Sequence, residues 1–263
     1  RNQIMESMEI EENPDIKQGL LQESNSGKSM NRACLTCRYK RYEDFITANQ
    51  YQQLQGIVEE SKRKVDSSSE ELLLELYKTA FPEREKPAMI DKAWKDLGFQ
   101  SENPTTDLRS CGLLSLNNLV YMSDHYPQVF QKLVREATDY PFAASTFNIT
   151  AILLIHLDIT RQFSFCPCCG TEFKKKKAPI HSMFTFASLL EDTEWQVVFN
   201  ELFSLGVVLM HHNYQHLAHT DPSFSILEFR KVFALTRVQL LKLLRKPCQS
   251  VFDLSKEASV YLN

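Results

Sequence analysis

Glycine is scarce in this sequence, with seven residues among 263, well under half of the roughly 7% that average proteins contain. Phosphate-binding loops and tight β-hairpins both use glycine, because they need positive φ angles or close backbone approach. Neither G-x-x-x-x-G-K-[ST] nor G-x-G-x-x-G occurs in the chain. A P-loop enzyme, a dinucleotide-binding domain and a turn-rich β-sandwich are therefore poor candidates, and we expect this chain itself to bind no nucleotide.

Long apolar runs and a basic surface field are also missing. No apolar stretch approaches the roughly 18 residues of a membrane span, and the net charge of −3 gives no basic field for nucleic acid. Residues 1–11 lack the apolar segment of a secretory signal. Seven cysteines, with two C-x-x-C groups, favour a reducing compartment. We expect a cytoplasmic protein that reaches membranes, the cytoskeleton or a cilium through its partners.

Apolar residues recur at three- and four-residue intervals over most of the chain, and this pattern predicts an all-α protein. The polar residues 1–32 predict a flexible tail, and residues 33–263 predict a single helical domain with a cysteine- and lysine-bearing insertion at about 163–180. Helices are predicted at about 42–64, 70–81, 89–97, 113–125, 127–136, 142–160, 193–219 and 223–245.

The stretch between Gly98 and Gly112 interrupts the helical pattern and is predicted to form an ordered loop. The two glycines allow the chain to turn at either end. Pro104 restricts the loop backbone, and Asp107 is placed to hydrogen-bond backbone amides or to hold the Arg109 guanidinium. The loop is therefore expected to have a restricted backbone conformation.

The sequence around this loop resembles the signature of the ELMO domain: tryptophan, glycine-phenylalanine-glutamine, proline, threonine-aspartate, arginine and glycine, then a leucine-rich helix. The resemblance extends over about residues 70–246, with departures at Leu108, where the family usually has phenylalanine, and at Ser110, where it usually has glycine. The residues in register are Trp94, Gly98, Phe99, Gln100, Pro104, Thr106, Asp107, Arg109, Gly112, Leu113, Leu116, Leu119 and Tyr121.

Short members of this family act as GTPase-activating proteins for Arf- and Arl-type small GTPases, whereas larger members use the domain inside scaffolds that help activate Rac-type GTPases. This chain is nearer to the short members, so the resemblance implies an Arf/Arl-type partner and Arg109 as the catalytic arginine supplied in trans. It is then a GTPase activator rather than a stand-alone enzyme. An arginine supplied in this way is worth roughly 10³–10⁵ in the rate of GTP hydrolysis.

Two alternatives stay open at this point. In the first, Arg109 pairs with Asp107 or with a helix end and only stabilises the loop. In the second, the domain is a non-catalytic adaptor or a structural subunit of a cytoskeletal or ciliary assembly. Gln100 and Thr106 are expected either to contact the partner or to order the loop.

The cysteines predict a zinc site. Residues 166–170 read C-P-C-C-G, the form of a zinc knuckle in which the glycine lets the turn close. One knuckle supplies two ligands, and structural zinc takes four in a tetrahedron. The other C-x-x-C lies at the start of the predicted domain, so the predicted structural site is Cys34, Cys37, Cys166 and Cys169. Free surface thiols or a redox pair are the alternatives.

Overall fold

A computed structural model describes residues 42, 45–66, 69–109, 111–160, 163, 165–168, 170, 180–246 and 248–262, the Arg109 side chain excepted. None of these residues lies in a β-strand, which confirms the all-α prediction, while the predicted tail at 1–32 lies outside them. The helices are α1 (Ala48–Lys62), α2 (Ser69–Ala80), α3 (Gly112–His125), α4 (Pro127–Glu136), α5 (Phe142–His156), α6 (Ile180–Leu189), α7 (Trp195–Thr220), α8 (Phe229–Leu243) and α9 (Val251–Ala258). Short 3-10 turns lie at Lys92–Leu97, Pro104–Arg109, Ile226–Glu228 and Ser259–Tyr261.

Helices α3 and α7 lie at the centre of the domain. Helix α3 packs against α1, α2, α4 and α5, and α7 packs against α3 and also contacts α1, α5, α8 and α9. A carboxylate links the two central helices: Glu201 of α7 is buried and accepts hydrogen bonds from the hydroxyls of Tyr121 at 2.7 Å and Tyr126 at 2.8 Å. Because two donors satisfy it, this buried carboxyl group is compatible with a packed interior.

Helix α5 is buried on almost every side, since Asn148 alone among its 15 residues is not buried. Its sequence has no polar face, which is typical of a helix that is surrounded by others. The hydroxyl of Thr150 accepts a hydrogen bond from the side-chain amide of Asn118 in α3, at 2.9 Å. Both ends of this fixed helix position the candidate sites described below. Among the described helices, none has the length and apolarity that crossing a bilayer requires.

Two predicted helices start about six residues later than their periodicity suggested. Helix α1 begins at Ala48 rather than near residue 42, because the Thr47 hydroxyl accepts the Gln50 N–H at 3.2 Å and the Gln50 side chain accepts the Thr47 N–H at 2.9 Å. This reciprocal pair is a capping box, which fixes a helix start. Helix α8 begins at Phe229 rather than near residue 223. There the Asp221 carboxylate accepts the N–H and hydroxyl of Ser223, at 3.0 and 2.6 Å, and holds a turn.

Candidate functional site

The arginine loop, residues 98–112, is seated at its first end against helix α5. Gly98 has a φ of +87°, and its carbonyl accepts the N–H of Ala144 at 3.1 Å. A Cβ at this position would lie 2.1 Å from the backbone nitrogen of Phe142. Glycine is therefore required here by the left-handed backbone and also by the approach of the helix.

The second end of the arginine loop is seated just past helix α1. Gly112 has a φ of +54°, and the N–H of the next residue, Leu113, donates to the carbonyl of Arg63 at 2.8 Å. A Cβ on Gly112 would lie 2.1 Å from that same carbonyl oxygen. The loop thus joins the start of α5 to the end of α1, two elements that are far apart in the sequence.

Between these two ends, short polar side chains bond to the loop's own backbone and to one another. The side-chain oxygen Oδ1 of Asn103 accepts hydrogen bonds from the backbone N–H and the hydroxyl of Thr105, at 3.1 and 2.7 Å. The hydroxyls of Ser101 and Thr106 lie 2.7 Å apart, and each bonds to the backbone carbonyl of Asn103. These local bonds compete with helical bonding and favour a tight turn, which explains the 3-10 turn Pro104–Arg109 inside the predicted loop.

Asp107 braces the loop across its width. Its carboxylate accepts the backbone N–H of Gln100 at 2.6 Å, a charge-assisted bond of the stronger kind. The backbone of Gln100 therefore takes part in loop order, while its side chain is exposed to solvent. Asp107 was expected to bond to backbone amides or to hold the Arg109 guanidinium. The first of these interactions is present among the described residues.

Apolar side chains fix the loop to the core from below. Leu108 is 2% exposed, and Pro104 is also buried. Cys111 is fully buried, and burial raises the pKa of its thiol to about 12. A thiol with that pKa stays protonated at neutral pH, so Cys111 is a packing residue and not a nucleophile.

Arg109 is the last residue of the 3-10 turn, directly after the buried Leu108 and three residues before the seat at Gly112. Its side chain and the whole of Ser110 lie outside the described residues. The structure thus gives the backbone position of Arg109. The buried Leu108 fixes the chain before it, and the contact of Gly112 with the end of α1 fixes the chain after it.

A second candidate site brings three ligand atoms together at the end of helix α5. The His156 ring nitrogen Nε2 lies 3.1 Å from the Sγ of Cys166 and 3.3 Å from the Sγ of Cys168, and the two sulfurs are 2.9 Å apart. All three residues are buried. The pKa of the Cys166 thiol is lowered, mainly by its hydrogen bond with Cys168 and further by His156, although burial acts to raise it.

The cysteine turn closes as its sequence predicts. The N–H of Gly170 donates to the carbonyl of Cys166 at 2.8 Å, and Gly170 has a φ of +65°. A Cβ there would lie 2.8 Å from the guanidinium of Arg230, which belongs to helix α8. The turn therefore approaches α8 on one side and presents its cysteines to the end of α5 on the other.

The predicted four-cysteine set is described at one position only, Cys166. Cys34, Cys37 and Cys169 lie outside the described residues, so that set stays a prediction. Within the described residues, the group with metal-ligating atoms close together is instead His156 with Cys166 and Cys168. The pattern H-x₉-C-x-C was present in the sequence, but a histidine that ends an apolar helix resembles a core residue.

Comparison with known proteins gives a consistent result. The model of the ELMO/CED-12 family matches residues 52–233, more than half of the chain. ELMO domain-containing protein 2 of Homo sapiens is 37% identical over 108 residues, covering 38% of this chain and 37% of that protein. ELMO domain-containing protein C of Dictyostelium discoideum is 32% identical over 111 residues, covering 41% of this chain and 18% of that protein.

These alignments are partial on both sides. ELMO domain-containing protein 1 of Homo sapiens is 34% identical over 91 residues, which is 33% of this chain and 27% of that protein. The chain thus aligns with well under half the length of these curated relatives. No solved structure matches the chain.

Proposed function

The chain belongs to the ELMO/CED-12 family, and from this we propose that it stimulates GTP hydrolysis by a small GTPase of the Arf/Arl type, with Arg109 supplied in trans. In this proposal the partner holds the nucleotide, the Mg²⁺ ion and the attacking water. The chain adds one guanidinium to the charge that spreads over the transferring phosphoryl group.

The observation that carries the proposal is the anchoring of the arginine loop at both ends and along its length. Gly98 and Gly112 contact two different helices, Asp107 braces the loop, and Leu108 is buried directly before the arginine. Electrostatic stabilisation of a transition state depends on charges that are already in position, since reorganisation at the moment of reaction costs free energy. A loop with this many fixed points supplies that preorganisation at the backbone of Arg109.

The test is single-turnover GTP hydrolysis with a panel of Arf- and Arl-type GTPases, comparing wild type, Arg109→Lys and Arg109→Ala. On the responding GTPase, both variants are expected to lose most of a stimulation that is about 10³-fold or more. Lysine keeps the charge but lacks the planar fork that grips two phosphoryl oxygens. Binding to the GTPase, measured separately by calorimetry, is expected to change little.

Arg135→Lys is the matched control. Arg135 is an exposed arginine on helix α4, so this variant makes the same arginine-to-lysine change outside the loop. Full stimulation by Arg109→Lys would reject the catalytic role of the arginine. Wild-type protein that binds a GTPase but stimulates none of the panel would support the adaptor alternative instead.

A further inference from the structure

The cluster at the end of helix α5 has the donor chemistry of a metal site. Its facing atoms are two cysteine sulfurs and one imidazole nitrogen, each within 3.3 Å of the other two. They are buried, so bulk water does not solvate them. Cysteine binds metal as the thiolate, and a bound cation would offset the repulsion between two thiolates held this close in a low-dielectric interior.

The fold builds this arrangement from two short segments. His156 is the last residue of α5, and the chain then turns at Asp158, whose φ is +53°. Cys166 and Cys168 come from the turn that the Gly170 N–H closes. A helix end thus supplies one ligand and a closed turn supplies two, so elements already held in place by the fold bring the three donor atoms together.

We propose that His156, Cys166 and Cys168 together bind a zinc ion that fastens the start of the insertion to the end of helix α5. Zinc suits this set because thiolate and imidazole are its usual ligands, and the three fill three corners of its tetrahedron while a water molecule or a further ligand takes the fourth. Hard ions such as Mg²⁺ and Ca²⁺ prefer oxygen ligands, and the three facing atoms include none. The inference is independent of the proposed GTPase activation.

This ligand set differs from the four-cysteine set predicted from the sequence. The two share Cys166, but the new site takes its histidine from α5 and its second cysteine from position 168 rather than 169. The second interpretation of the close sulfurs is a redox pair, in which Cys166 and Cys168 form a disulfide while an external disulfide is reduced to two thiols. The two chemistries are separable by experiment.

The experiment loads the full-length chain, purified under reducing conditions, with Zn²⁺ for stoichiometry and with Co²⁺ as a spectroscopic probe. We expect about one equivalent of metal per chain, with thiolate-to-cobalt charge-transfer bands and the ligand-field bands of a tetrahedral site. His156→Gln and Cys168→Ser are expected to weaken Zn²⁺ binding by more than about a hundredfold, beyond the roughly 10- to 100-fold effect of losing a supporting residue.

Cys248→Ser is the matched control, because Cys248 is a half-buried free cysteine near the other end of the chain and is expected to leave zinc binding unchanged. The wild-type cobalt spectrum tests the proposal even where a variant fails to fold. A four-thiolate spectrum would overturn it, since that leaves no place for His156. Failure of the wild type to bind metal, a Cys166–Cys168 disulfide in freshly reduced protein, or wild-type affinity in both ligand variants would overturn it as well.

Discussion

At the residue scale, Gly98 is a position where neighbouring backbone leaves no room for a side chain. We predict that Gly98→Ala and Gly98→Asn both lower the free energy of unfolding by at least about 2 kcal/mol. Asparagine tolerates a left-handed backbone better than alanine, but either Cβ would lie 2.1 Å from the Phe142 nitrogen. Urea unfolding of the two variants and the wild type measures the effect. Substantial recovery by asparagine would show that the φ angle alone makes the glycine necessary.

A second residue-scale prediction concerns His211, which is buried in α7 between two polar partners. Its Nδ1 lies 2.7 Å from the Tyr140 hydroxyl and its Nε2 lies 3.1 Å from the Glu136 carboxylate. A neutral ring that accepts from the tyrosine and donates to the carboxylate satisfies both contacts. Burial lowers the pKa of His211, while Glu136 raises it and the charges of Lys132 and His212 lower it, with a net downward direction.

The folded protein binds the His211 proton less readily than the unfolded chain, whose histidine pKa is about 6.5. The contribution of His211 to stability is therefore complete above about pH 6.5 and is lost as the pH falls below that value. The unfolding free energy of the wild type should therefore decrease on acidification from about pH 7 to 5. His211→Gln should flatten this dependence, and His219→Gln, an exposed histidine of the same helix, should leave it intact. An unchanged slope in His211→Gln would contradict the prediction.

At the scale of elements, the sequence predicted those helices whose own periodicity is strong and missed two whose stability comes from elsewhere. Helix α6 is rich in β-branched and aromatic residues, which are weak helix formers. It is held by burial of Met183 and Phe186 and by the Ser182 hydroxyl, which donates to the Leu241 carbonyl at 3.2 Å. Helix α9 has eight residues and begins at a capping box of Ser250 and Asp253, a local signal too short for periodicity to reveal.

Gly206 shows how an element is shaped by its neighbours. It lies inside α7, where a Cβ would sit 2.7 Å from a methyl carbon of Ile149 in α5 and 3.3 Å from one of Leu240 in α8. We predict that Gly206→Ala destabilises the protein by about 1–3 kcal/mol through overpacking, although alanine is favoured over glycine in a helix by about 1 kcal/mol.

A double-mutant cycle separates this packing effect from backbone effects. Ile149→Ala removes the nearest methyl group, so the double variant with Gly206→Ala should be more stable than the sum of the two single effects by at least about 0.5 kcal/mol. Urea unfolding of the four proteins gives the coupling energy. Strict additivity would mean that the two positions do not meet in the folded protein.

At the scale of the whole molecule, the sequence predicted what is local and missed what folding brings together. The arginine loop was recognisable because its signature residues are neighbours in the chain. Its contacts with Arg63 and Phe142 join residues about 44 to 50 positions apart, and no spacing rule in one sequence reveals them. The same holds for His156, which folding places beside a turn ten residues later.

Metal binding should appear as a change in global stability. Because the proposed zinc would bind the folded cluster and the unfolded chain holds no such cluster, it should raise the unfolding free energy by about 2.7 kcal/mol at a free concentration one hundred times its dissociation constant. Thermal unfolding over a series of buffered Zn²⁺ concentrations measures this rise. Cys168→Ser should abolish it and Cys248→Ser should preserve it, whereas an equal rise in both would assign the metal to other residues.

The two-ended seating of the arginine loop has a consequence for engineering. A segment that is bound by backbone contacts at Gly98 and Gly112 has a fixed length as well as a fixed sequence. Inserting or deleting one residue between them would place a neighbouring residue at one of these two contacts. Every residue next to Gly98 or Gly112 carries a Cβ, for which neither contact leaves room, so one end of the loop would lose its contact. The reach of the arginine is therefore adjustable by substitution within the loop and not by changing how many residues it contains.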